Sequence, residues 1–149
     1  MKPQNVIACV SLALISTLVS ASDKGAADNP FLSDLNELHQ RYMKEGHSAS
    51  KFPELHKWVI FSGIVLARDN NDSYIFNLKV GTQENKKELA ELEFDEDDYV
   101  EFPNKYKKLE NLQTGVSLKA RCVLRLRDKS EYLRFEDCEL WDYNGKPLR

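Results

Sequence analysis

Residues Ala120–Asp142 read ARCVLRLRDKSEYLRFEDCELWD. Two cysteines, Cys122 and Cys138, stand at equal distances from Ser130, inside the turn signal DKSE. Just upstream, Val116, Leu118, Ala120, Cys122, Leu124 and Leu126 share one parity, while Lys119, Arg121, Arg125 and Arg127 share the other with Val123. Period two over a dozen residues predicts a strand with one buried face. After the turn, YLRFEDCELWDY (Tyr132–Tyr143) predicts a second strand whose alternation slips: Leu133 and Phe135 are odd, Cys138 and Leu140 even. A bulge near Glu136–Asp137 reconciles the two halves.

The pair then forms a hairpin in which Cys122 faces Cys138, give or take the bulge. Opposed side chains in an antiparallel pair come within disulfide reach. The favoured reading is a cross-strand disulfide; the alternatives are two reduced core thiols, a zinc site or a redox pair. Zinc asks for four ligands at close spacing, and the histidines, His39, His47 and His56, all precede the strands that carry the cysteines. A redox pair has neither a Cys-x-x-Cys motif nor an adjacent helix start to lower a thiol pKa.

Which reading holds depends on the compartment. The chain opens with a short basic start, MKP, followed by the mostly apolar run VIACVSLALISTLVSA, with Val19 and Ala21 where a signal peptidase needs small residues. Residues 1–21 read as a cleaved secretory signal, and 22–29 as a polar, flexible leader. Cys9 opens the apolar run rather than ending it, which fits a lipobox poorly. The expected location is periplasmic or secreted, without a stable membrane span after cleavage. Two cysteines remain after the cut, in a compartment where thiols oxidise. Losing Lys2 takes the formal net charge from −3 to −4, which argues against a general nucleic-acid binder.

Residues 30–149 read as one domain. NPFLSDLNELHQRYMKEGHS predicts a helix capped by Asn29, with Pro30 in the first turn and Phe31, Leu32, Leu35, Leu38, Tyr42 and Met43 as its apolar face. From Trp58 the period shortens: KWVIFSGIVLAR predicts a strand, DNND (Asp69–Asp72) a turn, and SYIFNLKV a second strand with Tyr74, Phe76, Leu78 and Val80 on one face. KELAELEF gives a weaker third strand, and PNKYKKLENL a short helix opening at Pro103. Three strands, a helix and two strands is the order of the OB-fold, a five-stranded Greek-key barrel. The fold class is therefore mainly β, with an N-terminal helix and a short helix between the third and fourth strands.

SGIVLAR, YIFNLKV, LQTGVSLKARCVLR and FEDCEL resemble the bacterial tRNA-anticodon-like OB-fold family. The resemblance rests on Gly63-Ile64-Val65 in the first strand, Gly115-Val116-Ser117-Leu118 entering the fourth, and Asp137-Cys138-Glu139-Leu140 in the last, and covers Leu55–Tyr143. It implies the barrel, and for exported members it implies no particular activity.

Candidate contact residues form two charged groups. Lys119, Arg121, Arg125 and Arg127, joined by Arg134, make a basic stripe suited to a phosphate backbone, an acidic glycan or an acidic protein; a solvated barrel exterior would look the same. Asp95, Glu96, Asp97 and Asp98, within ELEFDEDDYVE, could meet a basic partner, but lack the spacing and glycine of a calcium loop. Tyr74 and Trp141 are candidate aromatic anchors. No Ser-His-Asp set or nuclease-like grouping of acids and arginines stands out, so neither catalysis nor a cofactor is expected. The expectation is a non-catalytic module for a protein or peptide partner, of inhibitor or immunity type, with polyanion binding through the basic face as the alternative.

Overall fold

The computed structural model describes residues 23–45, 52–72, 75–94, 112–125 and 130–141, of which 70–72, 75 and 76 are described by their backbone. The signal segment, the short helix expected at Pro103, the acidic run Asp95–Asp98, and Arg127 and Tyr143 lie outside these residues, as does Tyr74.

The elements run β1 (Phe31–Leu32), α1 (Leu35–Glu45), β2 (Trp58–Asp72), β3 (Ile75–Gly81), β4 (Ala90–Phe94), β5 (Ser117–Arg125) and β6 (Leu133–Trp141). The sheet order is β1-β2-β3-β4-β6-β5, and a further β2–β5 pairing closes β2 to β6 into a ring, with β1 outside it. Strand β2 makes closure possible because it is long. Its first half pairs with β5, from Trp58↔Val123 to Ile64↔Ser117, and its second half pairs with β3 from Ile64↔Gly81 onward. The parallel β4–β6 pairing, Ala90↔Leu133 to Leu92↔Phe135, completes the circuit. These five strands form the OB-fold barrel that the strand order predicts, and closure removes the open edges that would otherwise template aggregation.

Alternation decides what fills the barrel. Leu118, Ala120, Cys122 and Leu124 of β5 point inward, as do Ala90, Leu92 and Phe94 of β4, and Leu78 and Val80 of β3. Phe61 and Phe135 meet across the interior with ring centroids 4.5 Å apart. On β6 the buried set is Leu133 and Phe135, then Cys138 and Leu140, so parity changes in mid-strand. The cause is a bulge: Arg121 pairs with Glu139 but Val123 with Glu136, and Asp137 takes a left-handed φ of 52°. Cys122 and Cys138 are joined as a disulfide, their Cα atoms 4.2 Å apart.

Three segments depart from the expectations. The helix starts at Leu35, and its cap is Asp34, whose Oδ1 accepts from the Glu37 N–H at 2.9 Å. Phe31 and Leu32 are strand instead, because they lie parallel to β2 over the part of its edge that β3 does not reach. Only Leu35, Leu38 and Tyr42 of the expected stripe are buried by the helix, leaving Leu32 76% and Met43 54% exposed. The DNND turn signal is overridden: β2 runs on through Asp72, paired with Ile75 after an irregularity past Asp69, so ladder pairing outweighs side-chain turn preference. Residues 23–29 make a hydrogen-bonded turn where a flexible leader is expected. Gly25, at φ 88°, donates its N–H to the Asn29 carbonyl and accepts from the Trp58 N–H with its own carbonyl.

Candidate binding surface

The outward faces of β3, β4, β6 and β5 carry the charged residues, and strand register sets them side by side. Lys79 stands opposite Glu91, Glu91 opposite Arg134, and Arg125 opposite Arg134. The result is an interleaved ionic surface. Arg134 reaches Glu91 at 3.5 Å, Glu136 at 3.4 Å and also Glu93, and its side chain is only 12% exposed. Arg125 meets Glu136 at 3.3 Å and Asp137 at 3.8 Å, and its Nη1 donates to His56 Nδ1 at 2.8 Å. Arg121 pairs with Glu139 at 2.5 Å, donates to the Ala27 carbonyl at 2.7 Å, and lies over the rings of Trp58 and Trp141.

Three of the stripe's residues, Arg121, Arg125 and Arg134, are thus matched by carboxylates. Lys119 is its one member with no ion pair among the described residues. The sequence reading left Glu91 and Glu93 in the acidic run and did not pair them, or Glu136 and Glu139, with the arginines. Their placement beside the arginines follows from strand register, Glu91 opposite Arg134 and Glu139 opposite Arg121, which residue numbers alone do not give. Trp141 is not a free anchor: its ring is stacked with Arg121 against the N-terminal turn.

A groove of about 930 Å³ opens at one end of this surface. Its walls come from α1 (His39, Met43), the β3–β4 connection (Asn85–Leu89), and the β5–β6 loop with the start of β6 (Ser130–Tyr132, Arg134). Hydrogen bonds hold these walls in place. His39 Nε2 donates to the Glu131 carbonyl at 2.8 Å, and the Leu133 N–H donates to the Leu89 carbonyl at 2.9 Å. The β3–β4 connection is pinned by Asn36 Nδ2 to Thr82 Oγ1 and by the Asn85 N–H to the same oxygen. Gly81 permits that tight turn, since a Cβ there would sit 2.6 Å from the Lys87 carbonyl oxygen.

The groove lining carries both signs of charge, Lys87 and Arg134 beside Glu88 and Glu131. Burial, and then Glu91, raise the Tyr132 hydroxyl above the usual phenol range. Glu88, followed by its hydrogen bond to the ammonium group, raises Lys79. Glu88 bonds Lys79 through one oxygen at 3.4 Å; its Oε1 is buried with no hydrogen-bond partner. Sequence reasoning missed this groove because its walls come from three separated segments, and Met43 was assigned to the buried face of the helix. Among the described residues no set of three His, Cys, Asp or Glu side chains converges as metal ligands.

Comparison with solved structures shows the fold. A Klebsiella pneumoniae lipoprotein, provisionally described as nucleic acid-binding, superposes with a TM-score of 0.56 at 14% identity, over 73% of this chain and 89% of its own. An OBody bound to hen egg-white lysozyme gives a TM-score of 0.45 at 14% identity, over 65% of this chain and 87% of its own. No family model and no curated protein sequence matches the chain, so the resemblance to the tRNA-anticodon-like family stands as a likeness of barrel. Among the described residues, no helix is long and apolar enough to cross a membrane.

Proposed function

We propose that this protein is an exported, non-catalytic binding module whose partner is a protein or peptide, an inhibitor or immunity-type role being its narrower form. One observation supports the reading: Arg121, Arg125 and Arg134, expected to face a polyanion, are engaged by glutamates of their own sheet. Polyanion binding is driven by free cations that displace counterions from phosphates. A surface of interleaved charges offers few such cations, but suits a partner carrying its own pattern of both signs, where complementarity gives specificity and encounter rate. The disulfide and the leading apolar segment support export to an oxidising compartment.

The polyanion alternative relies on Lys119 and on residues outside the described set. The test is capture of a partner from envelope extract by the mature protein, followed by calorimetry with both proteins purified. The reading expects a stoichiometric complex that survives nuclease treatment and heparin competition. A complex that nuclease or heparin dissolves would transfer the assignment to the polyanion class.

A further inference from the structure

We infer that the N-terminal segment, residues 23–33, is a displaceable strap that fills, within the chain, the docking site for an extended segment of the protein partner. The inference rests on the protein-binding reading above and deepens it by naming where the partner binds and in what form.

The strand edge comes first. One edge of β2 pairs with β5 from Trp58 to Ile64, and β3 joins the other edge only from Ile64 onward. Over Trp58–Ile60 that other edge is met, among the described residues, by the N-terminal segment. The Trp58 N–H donates to the Gly25 carbonyl at 2.9 Å, and the Ser33 N–H donates to the Ile60 carbonyl at 3.0 Å. Phe31 and Leu32 lie parallel to Val59 and Ile60 between them. An open strand edge takes up an extended chain, and main-chain hydrogen bonds supply the affinity. The chain's own segment therefore shows the kind of occupant this edge accepts.

What lies beneath the segment comes second. Both tryptophans of the chain, Trp58 and Trp141, flank Arg121, whose Nη1 donates to the Ala27 carbonyl at 2.7 Å. Tryptophan and arginine are enriched among the side chains that dominate protein interfaces. Arg121 keeps both of its bonds to Glu139 when Ala27 leaves, so Nη1 stays aimed at an incoming carbonyl.

The segment is also lightly held. Of residues 23–33 only Gly25 is buried, Leu32 is 76% exposed, and Phe31 packs on the core while itself only half-buried. A stretch fixed by main-chain bonds over little apolar surface belongs to the low-stability end of a fold. Its release leaves the ring of β2 to β6 closed, since β1 stands outside that ring. Gly25 sets the balance. It sits at φ 88°, and a Cβ there would lie 2.7 Å from Lys57 Cβ and from the Phe31 ring. A side chain at this position opens the strap without entering the barrel core.

The test uses the mature protein, as wild type and as Gly25→Ala, and a labelled synthetic peptide of residues 22–33, SDKGAADNPFLS, followed by fluorescence anisotropy. Gly25→Ala should bind the peptide saturably and about five- to thirtyfold more tightly than wild type, the range set by one residue forced left-handed. A scrambled peptide should bind neither protein. Hydrogen exchange of the wild type gives a second measurement. The Trp58 and Ser33 amides should exchange through an opening insensitive to urea, and the Leu133 amide, bonded to the Leu89 carbonyl, through global unfolding. Equal protection of Trp58 and Leu133, no saturable binding by Gly25→Ala, or equal binding of the scrambled peptide would overturn the inference. So would a purified partner that binds Gly25→Ala no more tightly than wild type, an outcome that leaves the binding-module reading intact.

Discussion

Cys138 bonds Cys122 inside the register slip of the β5–β6 ladder, between the pairs Arg121↔Glu139 and Val123↔Glu136 and beside the left-handed Asp137. Bulge and disulfide depend on each other: the bulge turns Leu133 and Phe135 and also Cys138 and Leu140 toward one interior, and the bond pins the register at the point where the ladder slips.

Removing that bond should therefore destabilise the barrel. The double variant Cys122→Ser/Cys138→Ser should lose about 3 kcal/mol, the chain-entropy value for a loop of this size. Urea unfolding of the oxidised protein and the variant measures the difference. Intact mass should rise by two hydrogens on reduction.

Arg134 should be the most costly charge to remove. Its side chain is 12% exposed, and its loss leaves the equally buried Glu91 without a cation on that strand. Arg134→Ala should cost about 3 kcal/mol, in the range for breaking one partner of a buried pair. Glu136→Gln, at a more exposed position, should cost under about 1 kcal/mol. Thermal or urea unfolding of the two variants separates these outcomes.

Stability should fall at alkaline pH through Tyr132 and Lys79. Both have a pKa raised in the folded state, from reference values of 10.0 and 10.5. A raised folded pKa means a contribution fully present below the unfolded pKa and lost as pH climbs through the folded one. The window therefore opens near pH 10 and extends upward. Tyr132→Phe should flatten the alkaline limb of a stability profile, and in ultraviolet titration of the wild type one phenol should ionise later than the ordinary range.

Asp34, and not Asn29, should behave as the helix cap. Asp34→Ala should cost about 1 kcal/mol and reduce amide protection in the first turn of α1. Hydrogen exchange at Glu37, whose N–H Asp34 accepts, reads it directly.

How much of this was legible depended on the range of the interactions involved. The β5–β6 hairpin could be read because its information is local: parity, a turn and two cysteines within some twenty residues. The β1 segment could not, because nothing in PFL says that β2 leaves an edge free beside it. Asp69–Asp72 misled for the same reason, since ladder partners at Ile75 and Asn77 outvote a turn composition. The basic stripe was read as a row of residues without the carboxylates beside it. Its character depends on which carboxylates neighbouring strands place beside each arginine, and that follows from barrel register.

The most direct measurement of that account is a salt titration of a fluorescent single-stranded oligonucleotide against two proteins. One is the wild type; the other carries Gln at Glu91, Glu93, Glu136 and Glu139, which releases the arginines. The wild type should show little affinity and a flat salt response, and the variant should gain binding that falls steeply with salt. Steep, salt-sensitive binding by the wild type, unchanged in the variant, would contradict a surface neutralised from within.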